Sequence, residues 1–462
     1  MKRLNKLIKC NYDIFIYGIK TNSLEVRRGD LFVATRGMNI DHHDYIMDAI
    51  RRGAVAVISE KNINTDIPVV IVKNTNKALR KILKKFYENI EKEFFFIGVT
   101  GTDGKTTTST IISKVLKSAN IGTNGITYRR FHKSLNNTTP SIEDLSNYFS
   151  KLNQLGCKYI SMEASSEALL HKRLDNVKYN VGILTNITED HLNIHKNIKN
   201  YVESKGLLFK KINKSGFAVL NRDDKYYLDI LSKCNCKVFT YGFDVNSDFV
   251  ICKYSDNKFS VLHNNRMYIL NLNFNEIYNI YNFTAAFVCL YVMGLDSNYI
   301  LDEFSKIKNI PGRGEKLSFG QDYQIILDYA HTLNAISNIL STYVVNKKNR
   351  IITVTGSAGG REKEKRRKIG KVVTDLSDIV IFTEDDPRCE KVLDIINDMT
   401  QDVKKKNYYI YKKREEAISY ALSIAKKDDI VLILGKGRDN YMAVGNKKIK
   451  YCDYDVIRSY FK

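Results

Sequence analysis

The run Gly98-Val-Thr-Gly-Thr-Asp-Gly-Lys-Thr-Thr-Thr108 concentrates residue types suited to holding phosphate. Gly101 and Gly104 let backbone N–H groups approach phosphate oxygens, with Thr102 and Asp103 between them in the turn. Lys105 can reach terminal phosphates, and the Thr106 or Thr107 hydroxyl can ligate Mg²⁺ at a helix N-terminus. ATP is the expected nucleotide. The pattern G-x-x-x-x-G-K-[ST] would put a Gly at position 99, where this chain has Val99. A Gly-rich turn that merely joins a strand to a helix is the plainer alternative.

Such a cradle needs a strand before it and a helix after it. The apolar run Phe94-Phe-Phe-Ile-Gly98 supplies the first and the pattern Thr110-Ile-Ile-Ser-Lys-Val-Leu116 the second. At 462 residues, 44% of them hydrophobic, the chain is globular and long enough for about three domains. No run approaches the ~18 apolar residues of a membrane helix, and the N-terminus shows no cleavable leader, so a cytoplasmic enzyme is expected, without membrane insertion. The eight cysteines are scattered and read as reduced thiols.

A net charge of +22 favours anionic partners. The lysines are spread along the whole chain, however, and the densest cluster, Arg361 to Lys368, alternates in sign at its start like a solvated helix face. No nucleic-acid partner is therefore expected. A basic P-loop ATPase that binds nucleic acid is the rival from another functional class.

Patterning predicts an α/β protein of three domains, with boundaries at 1–90, 91–310 and 311–462. Residues 1–90 read as a small α/β domain, with strands at Asp30–Ala34, Ala54–Ile58 and Val69–Val72. Residues 91–310 read as a doubly wound P-loop domain with strands near Tyr159–Glu163, Val181–Thr185 and Gly216–Leu220. Short strands between 237 and 274 suggest an antiparallel insertion, and Ile277–Met293 a helix. Pro311-Gly-Arg-Gly314 breaks both periodicities, and a Rossmann-like β/α series follows it.

Beyond the phosphate run, the chain resembles the Mur ligases, the ATP-dependent amide-forming enzymes of peptidoglycan precursor synthesis. It most resembles the MurE type, which adds the third amino acid to UDP-N-acetylmuramoyl-L-alanyl-D-glutamate. The resemblance runs from about residue 20 to 455. Three of the four prolines fall in its motifs: Thr138-Thr-Pro140, Pro311-Gly-Arg313 and Asp385-Asp-Pro-Arg388. The resemblance implies Glu163 and His191 as metal-binding positions, and Lys205 as a lysine carbamylated into an oxygen ligand. From the residue alone, Lys205 on a helix is a surface cation. Asn279 and Asn282 match adenine-side asparagines, although two amides on one helix face fit capping equally well. Arg313 would reach ATP from the third domain, and Asp328 and His331 match a loop near the nucleotide. The usual Pro after His-Thr is Leu333 here, so that loop is expected to be less rigid.

For the muramoyl-dipeptide, the resemblance implies Thr138, Thr139, Ser165, His171 and Arg173. Glu167 stands where His is usual. Ser23, in Thr21-Asn-Ser23, and the loop Gly37 to His43 match the uridine-diphosphate site, with Leu24 where Arg often follows. The incoming amino acid would meet Arg361, Asp385, Asp386, Arg388, Gly435 and Asp439. Members that add diaminopimelate carry Asp-Asn-Pro-Arg, whose Arg binds the distal carboxylate; Arg388 therefore favours diaminopimelate over lysine. Asp386 in the Asn place adds a negative charge that could attract a lysine ammonium instead, and Arg438-Asp439 replaces the usual His-Glu. A monomer using ATP and Mg²⁺ is expected. Lysine or another amino acid as substrate, and a non-catalytic relative, are the alternatives.

Overall fold

The computed structural model describes the whole chain except residues 38–39, 136, 256–257, 275 and 361–362. Its architecture is three α/β layered units, each with its own sheet. The first carries four parallel strands in the order Gly18–Lys20, Asp30–Val33, Ala56–Ser59 and Val69–Ile71. The helix Thr75–Phe86 buries Leu79, Ile82 and Leu83 against them.

The central unit is an 11-stranded sheet. The strand Phe95–Thr100 lies at its heart, parallel to Tyr159–Glu163 on one side and Tyr179–Leu184 on the other. Both faces are covered, which is why these strands read as unbroken apolar runs rather than alternating ones. Ile97 and Val99 face the helices Lys105–Leu116 and Ile277–Val292, while Phe96 and Met162 join the core on the opposite face. The phosphate turn follows Thr100, so its residues emerge at the carboxyl edge of parallel strands, where open α/β sheets bind ligands.

The region expected to be an antiparallel insertion is different. Lys237–Gly242 and Phe249–Ser255 extend the central sheet in parallel, and only Lys258–His263 and Arg266–Leu270 turn antiparallel. All belong to the same sheet because each buries apolar residues against Ile277–Val292 and its neighbours. On the other edge, Ala119–Gly122, Gly125–Tyr128 and Phe131–Lys133 add strands that the short, partly polar sequence does not advertise.

The third unit orders six strands as Glu315–Leu317, Gln324–Asp328, Ile430–Leu434, Ile351–Thr355, Ile379–Phe382 and Tyr408–Ile410. All pairs are parallel except the first. The turn leading into it needs left-handed backbone, with φ of 65° at Gly312 and 58° at Gly314, which explains the glycines around Arg313. Leu333 opens the helix Leu333–Asn346, and Thr332 caps it by accepting from the Ala335 N–H at 3.1 Å. The first helical position has no intrahelical N–H bond to lose, so Leu serves there as Pro would.

Candidate active site

One cleft of about 1320 Å³ runs from the phosphate turn to the carboxyl edge of the third sheet. Thr102 to Thr107 line one end, Thr138, Thr139, Glu163, Ser165 and Arg173 a side wall, and Asp385, Asp386, Arg388, Gly435 and Asp439 the far end. His191, Asn282, Arg313, Asp328 and His331 complete the wall between them.

The turn is pinned from the neighbouring strand. The Thr102 N–H donates to the Asn186 carbonyl at 2.7 Å, the Asp103 N–H to Asn186 Oδ1 at 3.0 Å, and the Thr185 hydroxyl to the Asp103 carbonyl at 2.6 Å. Gly104 has a φ of 82°, and a Cβ there would sit 2.2 Å from Asn282 Oδ1, so side chains are excluded twice over. Lys105 Nζ donates to the carbonyls of Gly101 at 3.0 Å and Thr102 at 2.7 Å. Lys205, from the helix Ile198–Phe209, donates to the same Gly101 carbonyl at 2.6 Å and lies 4.2 Å from the Tyr201 ring centre. Lys205 is only 1% exposed, so the surface-cation reading is wrong for this residue. Burial lowers the pKa of both lysines; for Lys205 the shift is large, with the Lys105 charge adding to it.

Glu163 ends its strand buried, its carboxylate accepting from the Thr123 N–H at 2.8 Å and the Thr123 hydroxyl at 3.2 Å. The Thr139 hydroxyl donates to the Glu163 carbonyl at 3.0 Å, and Arg173 donates to the Thr139 carbonyl at 3.3 Å. Thr138 and Thr123 hydroxyls are 3.2 Å apart, and Ser165 caps the helix Ser166–Leu170. His191 lies between carboxylates, Nε2 3.3 Å from Asp190 and Nδ1 3.7 Å from Glu167. Lys365 of the third unit reaches within 3.8 Å of the same Asp190.

Arg313 crosses from the third unit to the phosphate turn, its Nη2 donating to the Thr106 hydroxyl at 2.9 Å while its guanidinium lies 4.4 Å from the Tyr329 ring centre. Asp328 accepts from the Gly314 and Ala330 N–H groups at 2.5 and 2.6 Å, and burial raises its pKa. The His331 Nδ1–H donates to the Tyr329 carbonyl at 2.8 Å. Asn282 accepts from the Thr108 hydroxyl at 3.3 Å; Asn279 donates to Glu276 at 3.0 Å.

At the far end, Asp386 and Arg388 hold left-handed backbone, with φ of 44° and 52°. The Arg388 N–H donates to the Ala443 carbonyl at 2.9 Å, and the Gly445 N–H to the Arg388 carbonyl at 2.7 Å. The hairpin Tyr441–Val444 with Lys447–Lys450 thus braces the loop. The buried Lys436 donates to Asp386 at 2.8 Å and lies 3.5 Å from Asp439. Burial opposes its charge, yet Asp385, Asp439 and Asp386 outweigh that and raise its pKa. Asp439 also accepts from the Tyr329 hydroxyl at 2.9 Å. Burial raises the pKa of Asp385 and Asp439.

Five expected residues do not line the cleft: Ser23, Gly101, His171, Asn279 and Lys205, with Lys205 behind the Gly101 carbonyl. Ser23 is buried in the first unit, in the short turn Ser23–Glu25. Arg361 lies outside the described residues, as do two positions of the Gly37 to His43 loop. Arg438, which replaces a usual His, faces away from the cleft: it forms a fork with Glu315, Nε at 2.8 Å and Nη2 at 2.5 Å, beside the Gly312 turn. Thr123, Tyr329 and Lys436 were missed by sequence reasoning. Lys436 sits between Gly435 and Gly437, but its burial among aspartates has no local signature.

Among the described residues, no three His, Cys, Asp or Glu side chains stand close enough to enclose a metal. The oxygen donors Thr106 and Glu163 nonetheless fit Mg²⁺, which keeps several waters and is commonly held by one or two carboxylates plus phosphate oxygens. No helix among the described residues is long and apolar enough to cross a membrane.

Family models match residues 15–90 (Mur ligase family, catalytic domain), 99–290 (Mur ligase middle domain) and 312–437 (Mur ligase, glutamate ligase domain). UDP-N-acetylmuramoyl-L-alanyl-D-glutamate--2,6-diaminopimelate ligase of Bacillus cereus is 33% identical, covering 99% of this chain and 98% of that one. Its counterpart in Clostridium tetani is 34% identical, covering 99% and 97%. A solved structure bearing the same enzyme name shares 26% identity at a TM-score of 0.67, covering 100% of this chain and 98% of its own. The fold also matches a MurF ligase from Thermotoga maritima in complex with ADP, at 21% identity and a TM-score of 0.66, covering 90% of this chain and 93% of that one. With matched models spanning all three units and full-length relatives above 30% identity, the chain belongs to the Mur ligase family.

Proposed function

We propose that this protein is an ATP-dependent ligase of peptidoglycan precursor synthesis, joining meso-diaminopimelate to UDP-N-acetylmuramoyl-L-alanyl-D-glutamate. The observation that carries this reading is the single cleft with a phosphate turn at one end and Arg388 at the other, in a chain whose full-length relatives bear that enzyme's name. ATP phosphorylates the D-glutamate γ-carboxylate, giving an acyl phosphate and ADP. The amine of diaminopimelate attacks the acyl carbon, a C–N bond forms, and phosphate leaves with the C–O electron pair while the amine loses a proton.

Lys105 and Arg313 face the transferring phosphoryl group and stabilise its charge, the place where positioned cations act most strongly. Mg²⁺ bound at Thr106 and Glu163, with His191 and a carbamylated Lys205 behind them, would neutralise phosphate oxygens. Carbamylation needs a neutral amine: the Lys205 nitrogen attacks CO₂, a proton leaves, and a buried cation becomes an anion. The lowered pKa of Lys205 supplies that amine. Thr102 to Thr107, Asn282, Asp328 and His331 cradle the nucleotide, with Gly101 and Asn279 behind them. Thr138, Thr139, Ser165 and Arg173 hold the UDP-muramoyl-dipeptide from the cleft wall, with Ser23 and His171 supporting it from outside the cleft. Arg361, Arg388 and Asp439, with Asp385 and Gly435, receive the amino acid, while Asp386 stays paired with Lys436 beside them. The three units, divided at 90 and 310, each take one substrate, and the enzyme works as a cytoplasmic monomer.

The test is phosphate release from ATP with the UDP-muramoyl-dipeptide and a panel of amino acids. Release that depends on both the dipeptide and diaminopimelate is expected. Release without any amine, or stimulated by nucleic acid, would overturn the ligase reading; a preference for lysine would overturn only the choice of amino acid.

A further inference from the structure

The far end of the cleft holds a buried ion pair that the reaction above does not use. Lys436 is 1% exposed, and Asp386 takes both its ammonium, at 2.8 Å, and the Ala443 N–H, at 2.9 Å, on the same oxygen Oδ1. Asp386 stands two residues before Arg388, on a loop where both have left-handed backbone. Arg388 is exposed and makes no ion pair among the described residues. The Asp386 carboxylate is instead engaged by Lys436 and the Ala443 N–H.

We infer that Lys436 is a specificity-positioning residue: by holding Asp386 it keeps Arg388 unpaired, so that only an amino acid bringing its own distal carboxylate satisfies Arg388. This rests on the proposed reading of Arg388 as the carboxylate-binding residue. The physical reason is a difference of partners. A cleft that offers a guanidinium with no partner of its own favours a ligand that brings the matching carboxylate, and it loses that preference once an internal group can take the ligand's place. If Lys436 let go, Asp386 could swing onto Arg388 or pair with an incoming ammonium. Either event favours lysine, whose distal end carries a cation and no carboxylate. The surplus charge that Asp386 brings to this end of the cleft is therefore cancelled within the protein and does not itself attract lysine.

The experiment compares kcat/KM for meso-diaminopimelate and L-lysine, by phosphate release with ATP and the UDP-muramoyl-dipeptide, in wild type, Lys436→Met, Asp386→Asn and the double variant. Thermal melting checks that each variant is folded. Lys436→Met is expected to lower the diaminopimelate-to-lysine ratio by about tenfold or more, a change equivalent to one lost discriminating contact. The double variant, with no carboxylate left to restrain, is expected to recover a ratio within about threefold of wild type. A purely structural role would predict no such recovery. An unchanged ratio in folded Lys436→Met, or a double variant no better than the single one, overturns the inference. Should Lys436→Met not fold, Asp386→Asn decides: it needs no restraint and should keep the wild-type preference, and a collapse of its ratio overturns the inference. Wild type that fails to use diaminopimelate at all would instead defeat the underlying assignment of Arg388.

Discussion

The two ends of the cleft handle positive charge in opposite ways. At the phosphate turn, Lys105 and Lys205 rest on backbone carbonyls, sharing that of Gly101, and neither makes an ion pair among the described residues. At the far end, Lys436 is surrounded by Asp386, Asp439 and Asp385. Carbonyl dipoles hold a cation without cancelling its charge, whereas carboxylates cancel it. The first arrangement suits a ligand with several negative charges, and the second a zwitterion that must be sorted by where its charges lie. The contrast also explains why burial lowers the pKa of Lys105 while Lys436 is held above its ordinary value.

Breaking the phosphate end should cost most. Lys105→Ala is expected to lose activity on the order of 10³-fold with the fold intact, since its ammonium touches only carbonyls and no core group. Single-turnover phosphate release alongside a melting curve checks this, and near wild-type turnover would remove Lys105 from the ATP site.

Lys205→Ala comes next, with a loss on the order of 10²-fold. If Lys205 is carbamylated as proposed, added bicarbonate or a short carboxylate should restore part of the activity in the variant, because either would supply anionic oxygens where the carbamate would stand. Full activity without rescue would return Lys205 to a structural role.

At the far end, Arg388→Ala should raise the KM for diaminopimelate by about 30-fold, the lower range for truncating one partner of a hydrogen-bonded charge pair, with the KM for ATP nearly unchanged. Equal changes in both would mean that the loop, not the guanidinium, had been damaged.

The smallest effect concerns the support behind that loop. Arg366 donates to Glu390 at 2.7 and 2.9 Å and to Asp398 at 2.9 Å, and it lowers the Glu390 pKa from 4.5 to about 2. A depressed carboxylate contributes stability that is present above pH 4.5 and is lost as pH falls toward 2. Glu390→Gln should therefore flatten the pH dependence of melting in that window. An unchanged slope would show that the pair contributes little to holding the third unit together.

The phosphate turn was legible because its chemistry is local: glycines, Lys105 and Thr106 lie within a few residues, between a strand and a helix that apolar runs announce. The central strands were legible for the same reason, since a strand buried on both faces must be apolar throughout. The far end was only half legible. Asp385-Asp-Pro-Arg388 marked the loop, yet nothing local shows that Asp386 faces Lys436, fifty positions away, rather than the incoming amino acid. Arg438 looked like a lapse in the site and is instead a partner for Glu315 at the Gly312 turn. Lys205 read as a surface cation because a lysine on a helix carries no sign of its burial.

By itself, then, the chain determined its α/β class, its phosphate turn and the loops that approach it, because period, turn residues and short motifs are properties of neighbouring residues. The tertiary structure alone decided which charges cancel. It brought Arg313 to Thr106 across 207 positions, set Lys205 beneath Gly101, and gave Asp386 to Lys436. The strength of a buried charge depends on what surrounds it in space, and residues distant in sequence supply those surroundings.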